Sequence, residues 1–575
     1  MSGPGRFIAQ TVLASFDDYC QHFAELTQNA SRRFGARDWQ GLQEDAAQRL
    51  ELYNVAVDAA VDCLASRLDS GMEDHAAWER ARGVYRNAIV DHPSIEIGKT
   101  FFSSVTRRVL KTEGTDPAVE FTDDASAFPH GEPELLDVED TLLEDTLLSL
   151  LRLFDLGATW QNLERDVRLG AREIERRFAL HGQHEPVRRL EAFPSPFFRG
   201  RAAYIVGAAT SGGLTLPLAI AIHHTTRGLI VGAVLVEPDD ISVLFSYTRS
   251  SFLVATARPD ELVNYLQRLM PHRKPAELYT TVGYNKHGKT ERYRDLRRHM
   301  AESGERFEYA RGVRGMVMIV FTLPGYDAVF KVIRDRFPYP KQTTRRQVMA
   351  KYRLVFRHDR AGRLIDAHEF EHMRFLRTQF AEGLLEELLR EAARSVTLDG
   401  DTVILHHVYV ERKVVPLDIY LRESNPIKAT AAMIDYGRAI KNLALSDIFP
   451  GDMLLKNFGV TRSGRVVFYD YDELSKVTYC NFREMPETQD PADEMSADPW
   501  FGVGEHDVFP EEFRNFLGVR GELRAVLEQH HSDLFGVRFW QRVQDRIRSG
   551  EVIEIFPYER SRRLGAGVRR GARAS

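Results

Sequence analysis

The stretch from Phe449 to Asp472 constrains this chain more than any other. In Phe449-Pro450-Gly451-Asp452-Met453-Leu454-Leu455-Lys456-Asn457-Phe458-Gly459-Val460-Thr461, Asp452 and Asn457 have the D-x-x-x-x-N spacing of a phosphotransferase catalytic loop. The turn Arg462-Ser463-Gly464-Arg465 then leads into Val466-Val467-Phe468-Tyr469-Asp470. Apolar runs on either side of a glycine-containing turn predict a hairpin. Closing it brings Asn457, at the start of one strand, to Asp470, at the end of the other. One amide and one carboxylate, completed by phosphates and water, suit Mg²⁺, which seldom takes an all-protein cage. Asp452 is then placed to orient or deprotonate an incoming hydroxyl. Each residue also has a purely structural reading: Asp452 as a turn cap, Asn457 as an Asx turn, Asp470 as a strand end at the surface.

A second signal lies upstream. Ala310-Arg311-Gly312-Val313-Arg314-Gly315-Met316 runs into the apolar stretch MVMIVFTL, a turn at Pro324-Gly325-Tyr326-Asp327, and the stretch AVFKVI. Glycines let a backbone approach phosphate oxygens and aim N–H groups at them. Lys331 stands sixteen residues after Gly315, and strand alternation puts it on the face of Val329 and Ile333. An ammonium among apolar neighbours needs an anionic partner. Two glycines before a hairpin can equally be only a turn. Loop, lysine, Asp/Asn pair and post-hairpin aspartate nevertheless follow the order and approximate spacing of a protein kinase.

A site of that size occupies only part of 575 residues, so at least two cores are expected. With 43% hydrophobic and 28% charged residues the chain is an ordinary folded protein, not a disordered, collagenous or coiled-coil one. A net charge of -6 gives no basic face, so no nucleic-acid partner is expected. Cys20, Cys63 and Cys480 are far apart with no C-x-x-C spacing. They offer neither a disulfide framework nor a zinc ribbon and predict a reducing compartment. The N-terminus reaches Asp17 and Asp18 without an apolar core, and stretches such as Leu214–Ile222 fall short of the roughly 18 residues of a membrane span. The expectation is a cytoplasmic protein without a membrane partner.

Helical periodicity is predicted over Asp38–Leu68, Met72–Val90 and Trp160–Leu180, strands from about 197 to 257, helices over Pro259–Glu305, and a strand-rich block from Ala310. Arg345–Val396 reads as helical and Thr402–Val415 as extended. The change near 310 predicts domains 1–309 and 310–575. Between Lys111 and Arg152 acids accumulate beside Gly and Pro with no basic residue; a solvated connection is preferred to a docking surface for a basic partner. The arginine-rich tail after Glu559 reads as a solvated end. His368-Glu369-Phe370-Glu371-His372 matches H-E-x-x-H, a zinc motif when helical. No third ligand follows, and DAHEFEHMRFLRTQF is expected as a charged surface helix. No cysteine has an arginine six positions on, so there is no Cys-x5-Arg phosphatase loop.

The stretches ARGVRGMVMIVFTLPGYDAVFKVI, AGRLIDAHEFE, VYVERKVVPLDIYL, IFPGDMLLKNFGVTRSGRVVFYDYDEL and DVFPEEFRNFLG closely resemble the isocitrate dehydrogenase kinase/phosphatase family, over essentially the whole chain. The resemblance implies an α+β protein: a bilobal, protein-kinase-like C-terminal domain preceded by a mostly helical regulatory domain with a small sheet. It implies a bifunctional enzyme that phosphorylates and dephosphorylates a serine of NADP-dependent isocitrate dehydrogenase, switching carbon between the citric acid cycle and the glyoxylate bypass. Its protein partner would be isocitrate dehydrogenase, and a homodimer is compatible with it. Carried over, Ala310, Arg311, Gly312, Val313, Arg314, Gly315, Met316 and Lys331 would hold ATP. Asp452 would be the kinase catalytic aspartate, Asn457 and Asp470 the Mg²⁺ ligands, and Asp366 a further acidic catalytic residue. VYVERKV would be the hinge that receives adenine, and an AMP-type allosteric site is implied, though no residue locates it.

Several positions depart from ordinary kinases. Pro450-Gly451 replaces His-Arg, Lys456 adjoins Asn457, and Asp470-Tyr471-Asp472 replaces Asp-Phe-Gly. The acidic segment Glu484–Asp498 takes the activation-segment position. Two rival readings share the metal residues: a small-molecule kinase of aminoglycoside or choline type, and a nonenzymatic nucleotide-gated scaffold.

Overall fold

The computed structural model describes residues 3–68, 72–122, 131–246, 251–339, 341, 343–358, 360–486 and 501–564. They form two compact units, one comprising the chain up to Gly304 together with the chain from Phe556, the other Glu305–Ile555.

The first unit opens with helices α1 (Pro4–Gly35), α2 (Trp39–Leu68), α3 (His75–Ala88) and α4 (Ile95–Leu110). Proline at the first position suits α1, since its missing N–H would be unpaired there anyway. Ile8, Val12, Phe16, Tyr19 and Phe23 recur every three or four residues and are buried, the stripe that docks an amphipathic helix. Strand β1 (Leu136–Glu139) and helices α5 (Leu143–Arg152) and α6 (Leu163–Leu180) follow. Next come β2 (Arg189–Ala192), β3 (Phe197–Arg199), β4 (Ala202–Ser211), β5 (Leu214–Thr225) and β6 (Gly228–Leu235). The sheet order is β1-β2-β4-β5-β6, with β3 also on β4. Gly212 and Gly213, at φ 51° and 82°, make the two-residue turn between β4 and β5, a backbone that side chains with a Cβ rarely adopt. Alternate residues of β4 serve different cores: Tyr204, Val206 and Ala208 pack with α1–α4, while Ala203, Ile205 and Ala209 pack with α5 and α6. The sheet is therefore apolar on both faces, which is why these strands read as nearly continuous hydrophobic runs. Helices α7 (Pro238–Leu244), α8 (Pro259–Leu269), α9 (Pro275–Thr281) and α10 (Asn285–Ser303) complete it.

His287 on α10 is fully buried, its Nδ1 2.8 Å from Thr100 Oγ1. Burial pushes its pKa down to about 3, and Arg294 and Lys99 act in the same direction against Glu96; Glu291 lies 3.9 Å from its Nε2. A histidine held neutral in the fold but protonated in the unfolded chain withdraws stability as pH falls below about 6.5. The variant His287→Gln lacks this proton site. Relative to wild type it should gain about 1.4 kcal/mol per pH unit below that point, measured by denaturant unfolding across pH 4–7.

The second unit begins with β7 (Glu308–Tyr309), β8 (Met318–Thr322), β9 (Ala328–Ile333) and α11 (Arg345–His358). It continues through β10 (Ala367–Phe370), β11 (Met373–Leu376), α12 (Glu382–Glu391), β12 (Val396–Asp399), β13 (Thr402–Leu405), β14 (Val408–Arg412) and β15 (Val415–Pro416). A five-stranded sheet has the order β10-β14-β9-β8-β7, and a small one β11-β13-β12. Helices α13 (Leu417–Glu423) and α14 (Pro426–Leu445) precede the hairpin β16 (Phe458–Val460) and β17 (Val466–Phe468), whose sheet is β15-β16-β17. Strands β18 (Asn481–Phe482) and β19 (Asp507–Val508) pair in parallel. Helices α15 (Phe513–Phe516), α16 (Gly521–His531) and α17 (Val537–Arg548) follow.

Three expectations are corrected. Among the described residues of Arg345–Val396, α-helix is confined to α11 and α12, with one 3-10 turn at Arg377–Gln379. The segment around HEFEH is not a charged helix but β10, a turn and β11, because its polar groups pair instead of facing water. His368 Nε2 meets Asp366 Oδ2 at 2.7 Å, and Glu369 meets His407 Nε2 at 2.6 Å. The described start of the arginine-rich tail is docked, with Arg562 3.0 Å from Asp240 and the Leu564 N–H donating to Gly232 O at 2.8 Å. This docking carries the chain from Phe556 into the first unit, whereas the sequence expectation grouped it with 310–575. Asp123, Asp124, residues 487–498 and Arg569, Arg570 and Arg573 lie outside the described residues. Among the described residues no helix is long and apolar enough to cross a membrane, and Cys20, Cys63 and Cys480 are free thiols.

Candidate active site

The predicted hairpin forms, with Phe458 opposite Phe468 and Val460 opposite Val466. Its closure has the expected geometric consequence: the Tyr469 N–H donates to Asn457 O at 3.1 Å, setting Asp470 next to Asn457. Asn457 Nδ2 donates to Asp452 O at 3.2 Å, leaving its Oδ1 as the oxygen available to a cation. The Leu454 N–H donates to Asp452 Oδ1 at 3.0 Å, which fixes the carboxylate by a short Asx turn. Tyr436 donates to Met453 O at 2.5 Å, anchoring the same loop to α14.

Gly451 explains why Pro-Gly stands here. Its φ is 75°, and a Cβ on it would come within 2.3 Å of Glu473 O. Gly451→Ala should cost at least about 1–2 kcal/mol from the left-handed backbone alone. Displacement of the adjoining Asp452 by even 1 Å should lower phosphotransfer by about 10²-fold. Denaturant unfolding and a phosphotransfer assay measure the two effects separately.

Opposite the loop, β8 and β9 pair with Val320 across from Lys331. The Ala310 N–H donates to Val320 O at 3.1 Å, so the glycine loop arches from β7 to β8. Gly312 has φ 119°, and a Cβ on Gly315 would sit 2.8 Å from Met318 O. Lys331 is buried and makes an ion pair of 2.7 Å with Glu411 Oε2 on β14. Its Nζ also donates to Tyr469 O at 2.7 Å and lies 5.1 Å from the Tyr469 ring centre. In ordinary kinases the partner of this lysine comes from a helix; here it comes from the neighbouring strand. Burial raises the Glu411 pKa, with Lys331 and the Tyr352 hydroxyl opposing it.

A cavity of about 310 Å³ collects these parts. Ala310 through Met316, Lys331, Asp452, Asn457 and Asp470 all line it. Asp366 does not: it is buried beside His368 just before β10, and its charge helps raise the pKa of Glu411, which does line the cavity. Val414, at the end of VYVERKV, and Pro416 on β15 also line the wall. The sequence reading missed Glu411 and Lys341. Alternation along VYVERKV could have placed Glu411 on one strand face, but only the pairing of β14 with β9 shows which lysine it meets. Lys341 lies 3.1 Å from Asp472 Oδ2 and also pairs with Glu473.

Asp470 and Asp472 are hydrogen-bonded to each other. Burial first, then the adjoining Asp472 carboxylate, raises the Asp470 pKa. Asp472 is lowered despite its own burial, because Asp470 and Lys341 donate to it. Two carboxylates that share a proton form a site that a divalent cation can take over. With the Asn457 amide they supply oxygen donors only, the set a Mg²⁺ ion accompanied by phosphates uses. Among the described residues no cluster of three His, Cys, Asp or Glu side chains makes a metal cage.

A glycine loop over a cavity, a strand lysine in an ion pair, an aspartate-asparagine loop and a post-hairpin aspartate together define a protein-kinase-type phosphotransferase. The family profile described as the isocitrate dehydrogenase kinase/phosphatase (AceK) kinase domain matches residues 305–560, and that of the regulatory domain matches residues 9–304. An isocitrate dehydrogenase kinase/phosphatase of Anaeromyxobacter sp. (strain Fw109-5) is 46% identical over 562 residues, 97% of this chain and 98% of that protein. Proteins of that name from Xanthomonas euvesicatoria and Paraburkholderia phymatum are 41% and 38% identical over 97% of this chain, covering 97% and 94% of their own lengths. The chain belongs to the isocitrate dehydrogenase kinase/phosphatase family. None of these relatives is named as a small-molecule kinase or a scaffold, and neither rival reading is supported.

Proposed function

We infer that this chain transfers the γ-phosphoryl group of ATP to a serine of NADP-dependent isocitrate dehydrogenase and also removes it, setting the division of carbon between the citric acid cycle and the glyoxylate bypass. The observation that carries this reading is the convergence of the glycine loop, Lys331, Asp452, Asn457 and Asp470 on one cavity. It occurs in a chain matched over nearly its whole length by proteins named for both activities.

In the forward direction the backbone of Ala310–Met316 and the Lys331 ammonium would hold the phosphates. Asn457 and Asp470 would hold Mg²⁺, which when bound neutralises charge on the phosphates. Asp452 would orient the serine hydroxyl and accept its proton. Transfer would then depend on positioning and on charge stabilisation more than on covalent chemistry. For the reverse reaction the same cavity would serve. The carboxylates of Asp366, Asp470 and Asp472 are the candidates for activating water or accepting phosphate; of these, Asp470 and Asp472 line the cavity. The reading includes AMP as an effector, a cytoplasmic location and a homodimeric assembly, all resting on the family resemblance and on sequence composition.

Incubation with radiolabelled ATP, Mg²⁺ and purified isocitrate dehydrogenase should label a serine of that enzyme, and the label should be released on further incubation after ATP is replaced by ADP. Absence of serine labelling by the wild-type protein refutes the reading.

A further inference from the structure

By sequence the H-E-x-x-H match fits either a zinc helix or a surface helix, and the fold makes it neither. His368 faces Asp366 on β10, while His372 occupies the turn that carries the chain from β10 into β11. The parallel turn from β13 into β14 holds His406. Because β10 pairs with β14 and β11 with β13, both turns pass between the same two sheets, and the His372 N–H donates to His406 O at 3.3 Å.

The two imidazoles meet with Nδ1 3.4 Å from Nδ1 and ring planes 82° apart. That separation is long for an N–H hydrogen bond, whose heavy atoms usually lie 2.7–3.2 Å apart. It matches another geometry: two Zn–N bonds of about 2.0–2.1 Å at a tetrahedral angle hold their nitrogens about 3.3–3.4 Å apart. A second observation points the same way. His406 Nε2 lies 2.8 Å from Thr397 Oγ1. In the tautomer where His406 Nε2 donates to that hydroxyl, the ring proton is on Nε2 and the Nδ1 lone pair faces His372, the arrangement a second shell sets for a ligating histidine. His372 has φ 54°, a left-handed backbone uncommon outside glycine.

We propose that His372 and His406 form a two-histidine clip for a borderline divalent cation of the Zn²⁺, Cu²⁺ or Ni²⁺ class, with Thr397 as its positioning residue. Among the described residues no third His, Cys, Asp or Glu joins them, so water completes the coordination. Both rings are half-buried, which leaves the open positions accessible. Imidazole nitrogen selects this class over Mg²⁺, so the clip is chemically distinct from the oxygen-donor site of the cavity. A bound ion would tie the two sheet-crossing turns together and thereby stabilise the second unit.

The test uses the full-length protein stripped with EDTA and titrated with Co²⁺ in the presence of excess Mg²⁺. One equivalent should give a visible absorption band that Zn²⁺ abolishes by competition. His372→Asn keeps a residue that tolerates left-handed backbone, and His406→Gln alters the other turn. Each should lose the band while retaining the wild-type melting transition and Mg²⁺-dependent phosphotransfer. Thr397→Val should weaken Co²⁺ binding by about tenfold or more, an effect that loss of an unrelated surface histidine would not produce. No band in the wild type, or a band that survives in either folded histidine variant, overturns the clip.

Discussion

Lys331→Met is expected to abolish phosphorylation and dephosphorylation together, each by at least about 10²–10³-fold, the range seen when one preorganised charge donor is removed from a reacting oxygen. The same lysine would meet phosphate oxygens in either direction, so one substitution reports on both. Label transfer to isocitrate dehydrogenase and release of label from the phosphorylated enzyme are the two assays. Retained phosphatase activity would require a second hydrolytic site. The variant also unpairs Glu411, which is 1% exposed. Breaking a buried ion pair from one side costs about 3–5 kcal/mol, and protonation of Glu411 recovers part of that as pH falls. Lys331→Met/Glu411→Gln should therefore restore much of the stability and none of the activity. This separates loss of the phosphate-binding charge from loss of the fold.

Asp452→Asn should remove kinase activity by about 10²–10⁴-fold, the usual contribution of a positioned general base. The substitution preserves size, and the new amide oxygen can still accept the Leu454 N–H that Asp452 Oδ1 accepts now. Thermal unfolding should thus stay close to wild type, and nucleotide binding, followed by a fluorescent ATP analogue, should persist. An Asp452→Asn protein that labels isocitrate dehydrogenase at the wild-type rate would remove Asp452 from the chemistry.

The contrast between these two residues shows how legible the site is in sequence. Asp452, Asn457 and Asp470 lie within one loop and one hairpin, so spacing and turn chemistry suffice to bring them together. Lys331 is fixed almost as locally, by alternation on β9 after the glycine loop. Glu411 is different. It meets Lys331 only because β14, which follows β9 through two helices and four other strands, inserts beside it. Lys341 likewise reaches Asp472 across a separation that no local pattern encodes. Asp366, assigned to the site by resemblance, lies outside the cavity lining because β10 is an edge strand of the five-stranded sheet, separated from β9 by β14.

The HEFEH segment shows the opposite failure. Its density of charge suggested water on most sides, a reading that holds only when each charge lacks a protein partner. Asp366 with His368 and Glu369 with His407 pair instead, and paired charges can enter a sheet that unpaired ones could not. The Asp452–Asn457 loop, its hairpin, the glycine loop with Lys331 and the two kinds of texture on either side of about 310 are legible in the chain alone, because each is written in contacts a few residues apart. Tertiary structure alone decided which acid holds Lys331, where Asp366 lies, that the tail from Phe556 joins the first unit, and that His372 finds His406. Those pairings depend on strand order and on the company each charge keeps, and neither is specified by the spacing of residues along the chain.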